Sequence, residues 1–264
     1  MAAATIFYVE RVPSAGEQVV LDGDEGHHAA RVLRMRAGEP VMVCDGAGEV
    51  GDGVVASVDR AGLTIEVSGR WSVDAAAPTV TVVQALPKSD RSELAVDLAV
   101  EAGVDEIVPW QAQRCVSCWA AKAAKGRQRW QAVARAAARQ SRRAYVPAVA
   151  DLHSTAQLAE FVGVRAAGGA VVLVLHESAQ SGLSTLKERL SSAPAVVLIV
   201  GPEGGVADEE LGVLTGAGAV PVRLGPTVLR TSSAAAVALG ALGVLTDRWT
   251  GGPLVHGERS SRGG

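Results

Sequence analysis

Apolar residues along this chain follow two rhythms, and the change between them falls near residue 75. In the first stretch short runs read as strands with Gly-bearing turns between them: Ile6 to Val9, Gln18 to Leu21, Pro40 to Cys44, Gly53 to Val58 and Leu63 to Val67. One helix, about His27 to Met35, interrupts them. Five short strands and a helix in so short a span predict a small β-barrel. Ser72 to Pro78 then reads as a linker.

From Thr79 the pattern becomes strands alternating with helices, which predicts a mostly parallel sheet. Expected strands are Val80 to Ala85, Ile107 to Trp110, Val171 to Leu175, Ala195 to Val200 and Val222 to Leu224. Expected helices are Asp90 to Ala102, Lys125 to Arg143, Leu183 to Leu190, Asp208 to Thr215 and Ser232 to Asp247. Asp90 and Glu93 have capping-box spacing, and Gly103 supplies a stop. The last helix, built almost wholly from Ala, Val and Leu, is apolar on every face. That suits a core or interface helix and is too short for a membrane span. The Gly-, Ser- and Arg-rich stretch from 250 to 264 reads as disordered.

Composition excludes several classes. The 264 residues are 48% hydrophobic but only 3% aromatic, so the core must be built from Ala, Val and Leu. No stretch approaches the roughly 20 apolar residues that cross a bilayer. The Met1 to Thr5 start lacks a basic lead and an apolar run, so it is no secretion signal, and a cytoplasmic location is expected. Three cysteines argue against a disulfide framework.

Charge changes the picture more than its net value of −3 suggests. Between Ile107 and Ala150 there is no Asp or Glu, but there are nine basic residues, from Arg114 to Arg143. The rest of the chain then carries 25 − 9 = 16 cations against 28 anions, or −12. Such a localised field is either a solvated basic helix or the footprint of a polyanion. A second cluster, His27, His28, Arg31, Arg34 and Arg36, tips the balance toward nucleic acid.

Two candidate motifs dissolve on inspection. Gly46-Ala-Gly-Glu-Val-Gly51 matches the dinucleotide fingerprint, but the chain continues beyond it as strand where a helix N-terminus is required. Cys115-Val-Ser-Cys118 has metal-pair spacing, yet only Cys44 remains to complete a zinc site, so a chance pair of reduced thiols is the better reading. His27 and His28 have no acidic or Cys cluster beside them, and no metal is expected. His153 and His176 are isolated and by themselves read as structural.

Two loops survive. Gly201-Pro-Glu-Gly-Gly205 and Leu224 to Ser233 each come after an apolar run, at strand ends where α/β sheets take their ligands. Gly204 and Gly205 allow close backbone approach, and Pro202 stiffens the turn. Glu203 is the only charge in the first loop and is either a ligand contact or a cap for the next helix. In the second loop Arg230 stands beside Thr231, Ser232 and Ser233, hydroxyl residues suited to capping the last helix.

These motifs together resemble the RsmE-type members of the SPOUT methyltransferases, which methylate uridine N3 in 16S ribosomal RNA. The resemblance rests on His27-His28 with Val32-Leu33-Arg34, Gly38 and Asp45-Gly-Ala-Gly48. It continues through Lys88, Arg91, Glu93 and Glu101-Ala-Gly-Val104, then Arg114-Cys115, Arg143 to Pro147, the complete Gly201 to Gly205 loop and Leu224 to Ala234. Ser232 stands where the family usually has Glu, Thr227 where it has Arg, and Ala207 where a hydroxyl cap is usual.

The resemblance implies a PUA-like RNA-binding β-barrel over 1–73 and a SPOUT α/β domain over 79–249 with a C-terminal trefoil knot, an exception to the rule against knots. It also implies a homodimer that acts on the small ribosomal subunit. S-adenosylmethionine is expected at Leu175, His176, Gly201, Pro202, Gly205, Leu224, Gly225, Leu229, Thr231 and Ser233. Glu203 and Arg230 are the expected catalytic residues. His28, Arg31, Arg34, Arg36, Lys88, Arg91, Arg114, Arg139, Arg142 and Arg143 are the expected RNA contacts. The rivals are a SPOUT enzyme acting on transfer-RNA ribose hydroxyls and a non-catalytic RNA-binding assembly factor.

Overall fold

The computed structural model describes residues 5–59, 62–88, 91–252 and 254–255. The chain divides into two compact units. The first comprises Met1–Ala75, Ala138–Val146 and Gly252–Gly264, and the second Ala76–Ala137 and Pro147–Gly251.

The first unit carries β1 (Thr5–Tyr8), β2 (Gln18–Leu21), α1 (Gly23–His27), β3 (Pro40–Cys44), β4 (Glu49–Val58) and β5 (Leu63–Ser72). They form a five-stranded sheet in the order β1-β3-β4-β5-β2. β1 runs parallel to β3, and the other pairings are antiparallel. Register shifts interrupt the β4–β5 ladder at Asp52/Gly53 and Val55/Ser57, which bends the sheet around Phe7, Leu21, Val41, Leu63 and Ile65. The expected helix from His27 to Met35 is displaced. α1 ends at His27, and a π-helical turn, His28–Val32, continues it. β5 runs past its apolar run through exposed and half-exposed Ser68–Ser72, and β4 begins earlier, at Glu49, where buried Gly51 and Asp52 interrupt the apolar signal.

The Gly46 to Gly51 segment is the β3–β4 hairpin with no helix after it, and its glycines have a packing reason. Gly46 and Gly48 both have positive φ. A side chain at Gly46 would strike Val146, and one at Gly48 would strike the Tyr145 hydroxyl. The segment Ala144–Val146 lies against this hairpin through Gly48 N–H to Ala144 O (3.1 Å) and Val146 N–H to Gly46 O (2.9 Å). Tyr8 donates to Arg143 O and Tyr145 to Val73 O, both at 2.7 Å.

The second unit holds β6 (Thr79–Ala85), α2 (Ser92–Glu101), β7 (Glu106–Gln111), α3 (Ala123–Gln140, its last residues in the first unit), β8 (Ala148–Val149), β9 (His153–Ser154) and α4 (Thr155–Ala167). Then come β10 (Val171–Leu175), α5 (Lys187–Ser192), β11 (Ala195–Val200), α6 (Asp208–Gly216), β12 (Val220–Val222) and α7 (Thr231–Leu245). The sheet runs β12-β10-β11-β6-β7-β8, with β9 also on β7, and every pairing is parallel. Strands buried on both faces read as continuous Val, Ile and Leu. The core gathers Val83, Val108, Trp110, Leu158, Val174 and Ile199.

Several expectations need correction. α2 begins at Ser92, and Asp90 lies outside the described residues. The Leu183 helix is a short 3-10 turn leading into α5. The strand placed at Val222 to Leu224 is Val220–Val222, since Pro221 and half-exposed Val220 weaken the apolar signal that marks a strand. Helix α4 is not among the expected elements. Its start is a capping box in which Ser154 Oγ accepts from Gln157 N–H and Gln157 Oε1 from Ser154 N–H. The expected tail falls mostly at 253 and 256–264, outside the described residues.

Candidate active site

The carboxyl ends of β12, β10, β11, β6 and β7 are neighbours, so their loops form one cluster inside the second unit. The loop after β10 is zipped to the end of β12: His176 N–H donates to Val222 O (3.0 Å), Arg223 N–H to Ser181 O (2.9 Å) and Leu183 N–H to Arg223 O (3.0 Å). These bonds bring Leu175 and His176 beside the chain that leads into Leu224 and Gly225. His176 Nδ1 accepts from Ser178 N–H at 3.3 Å, which fixes its ring in a local turn.

The Gly201 to Gly205 loop is a tight turn closed by Gly205 N–H to Pro202 O (2.9 Å), with Gly205 at φ +75°. A Cβ on Gly201 would lie 2.8 Å from Val206 Cγ2, and one on Gly204 3.1 Å from Arg114 Cβ. Gly201 is therefore required by packing, and a side chain at Gly204 would push Arg114 aside by a few tenths of an ångström. Arg114 donates to Gly204 O (3.2 Å), and Lys88 N–H to Glu203 Oε1 (3.1 Å). Glu203 is exposed, so its carboxylate carries no burial cost, and it caps the turn after β6 and not the next helix.

The buried carboxylate nearby is Glu210, 6% exposed, which is not among the expected site residues. Its Oε1 accepts from Gln113 N–H (2.9 Å) and Thr155 Oγ1–H (2.7 Å), and its Oε2 from Ala207 N–H (3.3 Å). Trp110 Nε1–H donates to Thr155 Oγ1 at 3.2 Å. One side chain thus ties the β7 loop, the start of α4 and the start of α6, and its bond to Ala207 N–H is the half of a capping box that needs no hydroxyl at Ala207. The Glu at the third helical position was the available signal.

At the second loop the N-cap of α7 is Arg230 itself, with no side-chain capping bond. Thr231 and Ser232 are buried in the first turn, and Ser233 Oγ–H donates to Arg230 O (3.2 Å). The hydroxyls therefore lie within the helix and do not cap it. Arg230 is exposed, as are Pro226, Thr227 and Val228, while Leu224, Gly225 and Leu229 are half-buried.

Gln84, at the end of β6 and paired in register with Val200, is 2% exposed. Its amide nitrogen donates to Ala85 O (3.1 Å), but among the described residues its Oε1 has no partner. Such an orphan acceptor beside two Gly-rich loops fits a bound polar ligand. The described residues hold no cluster of three or more His, Cys, Asp or Glu suited to a metal. Burial pushes the Cys115 thiol up, while Cys118 is exposed.

The expected RNA residues fall into separate groups. In the first unit Arg31, Arg34 and Arg36 are exposed and His28 is half-buried. Arg139, in that same unit, is ion-paired with Glu25 at 2.9 Å, and Arg142 and Arg143 are half-buried. In the second unit Lys88 and Arg114 are exposed around the Gly201 loop, and Arg91 is the N-cap of α2.

An all-parallel open sheet with Gly-rich loops and an orphan acceptor at its carboxyl edge defines a ligand-binding α/β protein of the nucleotide-handling type. The chain belongs to the RNA methyltransferase family: the RNA methyltransferase domain matches residues 75–243, and the RNA methyltransferase PUA domain matches 21–68. It is 55% identical to the ribosomal RNA small subunit methyltransferase E of Mycobacterium bovis, over 93% of this chain and 94% of that one. Identity to the Bacillus subtilis enzyme of the same name is 32%, over 86% and 90%. Among solved structures, ribosomal RNA small subunit methyltransferase E of Neisseria gonorrhoeae bound to S-adenosyl methionine superposes with a TM-score of 0.82 at 27% identity, covering 92% and 98%.

Proposed function

We propose that this protein transfers a methyl group from S-adenosylmethionine to N3 of a uridine in the 16S RNA of the small ribosomal subunit. The carrying observation is the loop cluster of Leu175-His176, Gly201–Gly205 and Leu224–Arg230, in a chain 55% identical to a ribosomal RNA small subunit methyltransferase E. The orphan Oε1 of Gln84 and the exposed backbone of Gly205 fit a polar cofactor at that edge. When bound, S-adenosylmethionine supplies an electrophilic methyl on a sulfonium, so no metal is needed.

The protein's own groups then have defined tasks. Backbone at Leu175, Gly201, Leu224 and Leu229, with His176, Pro202, Gly225, Thr231 and Ser233 around it, holds the adenine and ribose. Glu203 fastens the turn bearing Lys88 and contacts cofactor or base. Arg230 stabilises negative charge on the uracil carbonyls as N3 passes its proton to water and keeps the electron pair that takes the methyl. Alignment of two large reactants supplies much of the acceleration. Residues 1–73 act as a PUA-like barrel gripping RNA through His28, Arg31, Arg34 and Arg36, with Arg142 and Arg143, while Arg139, also expected there, holds Glu25. Lys88, Arg91 and Arg114 meet RNA near the site. Residues 79–249 form a knotted domain whose α7, with Val237 and Val244 exposed, pairs with a second copy. A cytoplasmic location accords with this substrate, and no helix among the described residues is long and apolar enough to cross a membrane.

The test is incubation with labelled S-adenosylmethionine and small subunits lacking the modification, then mapping of the methylated base. Label on uridine N3 is expected. Cofactor binding without transfer to any small-subunit RNA refutes the substrate assignment, and absence of cofactor binding refutes the activity.

A further inference from the structure

A cavity of about 780 Å³ opens in the second unit between the turn after β6, the loop after β7 and the start of α3. None of the motifs in the Gly-rich loops accounts for it. Its wall is aromatic: Trp130 is buried, and half-buried Trp119 meets it edge-on, ring centroids 5.0 Å apart at 79°. Trp130 Nε1–H donates to Ser92 Oγ at 2.9 Å, which fixes the floor. Its rim carries Lys88, Lys122 and Lys125, all exposed and, among the described residues, without a carboxylate partner. Arg129 also lines it, paired with Glu93.

The chain spends stability to hold Trp119 in place. Gly126 sits inside α3, where glycine costs roughly 0.5–1 kcal/mol relative to alanine. A Cβ there would fall 2.5 Å from Trp119 Cδ2, so the glycine is the seat of the indole. Ala120, directly after Trp119, has φ +39°, a region L-residues rarely occupy, and Lys122 N–H bonds back to Trp119 O at 2.7 Å. Gln111 fastens the loop from the sheet by donating to Ser117 O (3.0 Å) and accepting from Trp119 N–H (3.4 Å). Val116, in the same loop, is 71% exposed. A tryptophan this firmly seated, left half-open in a cavity of ligand size and ringed by exposed lysines, is arranged for an occupant.

We infer that this cavity receives a nucleotide of a single-stranded RNA segment, its base stacked on Trp119 and its phosphates facing Lys122 and Lys125. The inference rests on the RNA-modifying function proposed above and adds a strand-binding subsite to it. Aromatic surface together with lysines is the chemistry that binds unpaired nucleotides without reading sequence. The turn bearing Lys88 belongs both to this cavity and, through Glu203, to the Gly201 loop, so a strand seated here runs toward the reaction centre.

The test measures binding of a fluorescein-labelled single-stranded oligouridylate by anisotropy, with S-adenosylmethionine affinity as an independent check of folding. Trp119→Ala is expected to weaken RNA binding roughly 5- to 150-fold, Trp119→Phe to restore most of it, and cofactor affinity to stay unchanged. Lys122→Ala and Lys125→Ala should each lower the slope of log K against log salt by about 0.7. Unchanged RNA affinity in Trp119→Ala overturns the subsite. So does an acidic polypeptide that binds as tightly as the RNA and depends equally on Trp119. If wild-type protein methylates small subunits and Trp119→Ala matches it in RNA affinity and turnover, the subsite alone fails. If wild-type protein transfers nothing yet binds oligouridylate through Trp119, the substrate reading fails and the subsite stands.

Discussion

Replacing Glu210 should damage this protein more than replacing any other single carboxylate in the loop cluster. Its side chain is 6% exposed and accepts three hydrogen bonds from three different segments, at 2.7, 2.9 and 3.3 Å. Bonds to a charged group contribute about 1.5–3 kcal/mol each, and donors left unsatisfied in a buried site cost a similar amount. In Glu210→Ala the two short bonds vanish, and Gln113 N–H and Thr155 Oγ1 lose their acceptor. The third bond is longer and contributes less. The expected loss is about 3–5 kcal/mol, a large share of the roughly 5–15 kcal/mol that stabilises a typical domain. Glu210→Gln keeps one oxygen acceptor but turns an N–H donor toward Ala207 N–H or Gln113 N–H, so its cost should be smaller, about 1–3 kcal/mol. Urea unfolding gives the stability, and calorimetric titration of S-adenosylmethionine gives the state of the Gly201 loop, whose end Glu210 holds through Ala207. If Glu210→Ala unfolds within about 0.5 kcal/mol of wild type, as a neutral surface change does, and binds cofactor normally, the network is incidental and the reasoning fails.

Three further outcomes rest on single contacts. Arg230→Ala removes an exposed side chain that makes no capping bond, so stability and cofactor affinity should hold while turnover falls roughly 10²–10³-fold, as for the loss of one oxyanion donor; parallel loss of cofactor affinity and turnover would mark Arg230 as structural. Gly48→Ala forces a side chain into a positive-φ position against the Tyr145 hydroxyl and should destabilise the first unit by about 2–4 kcal/mol, readable as a lower urea midpoint. Burial raises the Tyr145 pKa above its ordinary value of 10, so this group favours folding below the unfolded pKa and that contribution drains away as pH rises through the folded one. Tyr145→Phe should flatten the alkaline fall in stability, and an unchanged alkaline limb would show that the shift has no thermodynamic weight.

How much was legible in the sequence depends on which interactions decide each element. β10 and β11 were readable to the residue because strands covered on both faces must be apolar throughout. β12 slipped by two residues because Pro221 and half-exposed Val220 blur that pattern at the sheet edge. α4 was missed although Leu158, Phe161 and Val162 have the i, i+3, i+4 spacing of a buried helix face and Ser154 and Gln157 announced its start. At the site the two Gly-rich loops were visible as loops, since glycine and proline punctuate locally. The partners of Glu203 and Glu210 across the loop cluster were not, because those bonds join residues far apart in the chain. Lys88 N–H to Glu203 spans 115 positions, and Gln113 N–H to Glu210 spans 97. Trp119 and Gly126 gave no sequence signal beyond an unusual glycine in a helix.

The basic segment shows why counting charge along a sequence overstates a field. Its nine cations have no acidic neighbour in sequence, yet carboxylates from elsewhere meet some of them: Asp151 meets Arg127 (3.4 Å), Glu93 meets Arg129, and Glu25 meets Arg139 (2.9 Å). These pairs cancel charge even where they add little stability. The salt dependence of RNA binding separates the two kinds of arginine. Each phosphate contact contributes about 0.7 to the slope of log K against log salt for single strands and about 0.9 for duplex. Replacing Arg31 or Arg34 by alanine should therefore lower the slope by about 0.7–0.9 with little change in stability, since both are exposed. Arg139→Ala should do the reverse. Its guanidinium is only 24% exposed and already holds Glu25, so the slope should barely move while the first unit loses about 1–3 kcal/mol, as expected for a bond between charged groups. A full-sized slope change in Arg139→Ala with unaltered stability would mean that Arg139 leaves Glu25 to bind phosphate, and that the ion pair is a resting state of the RNA grip.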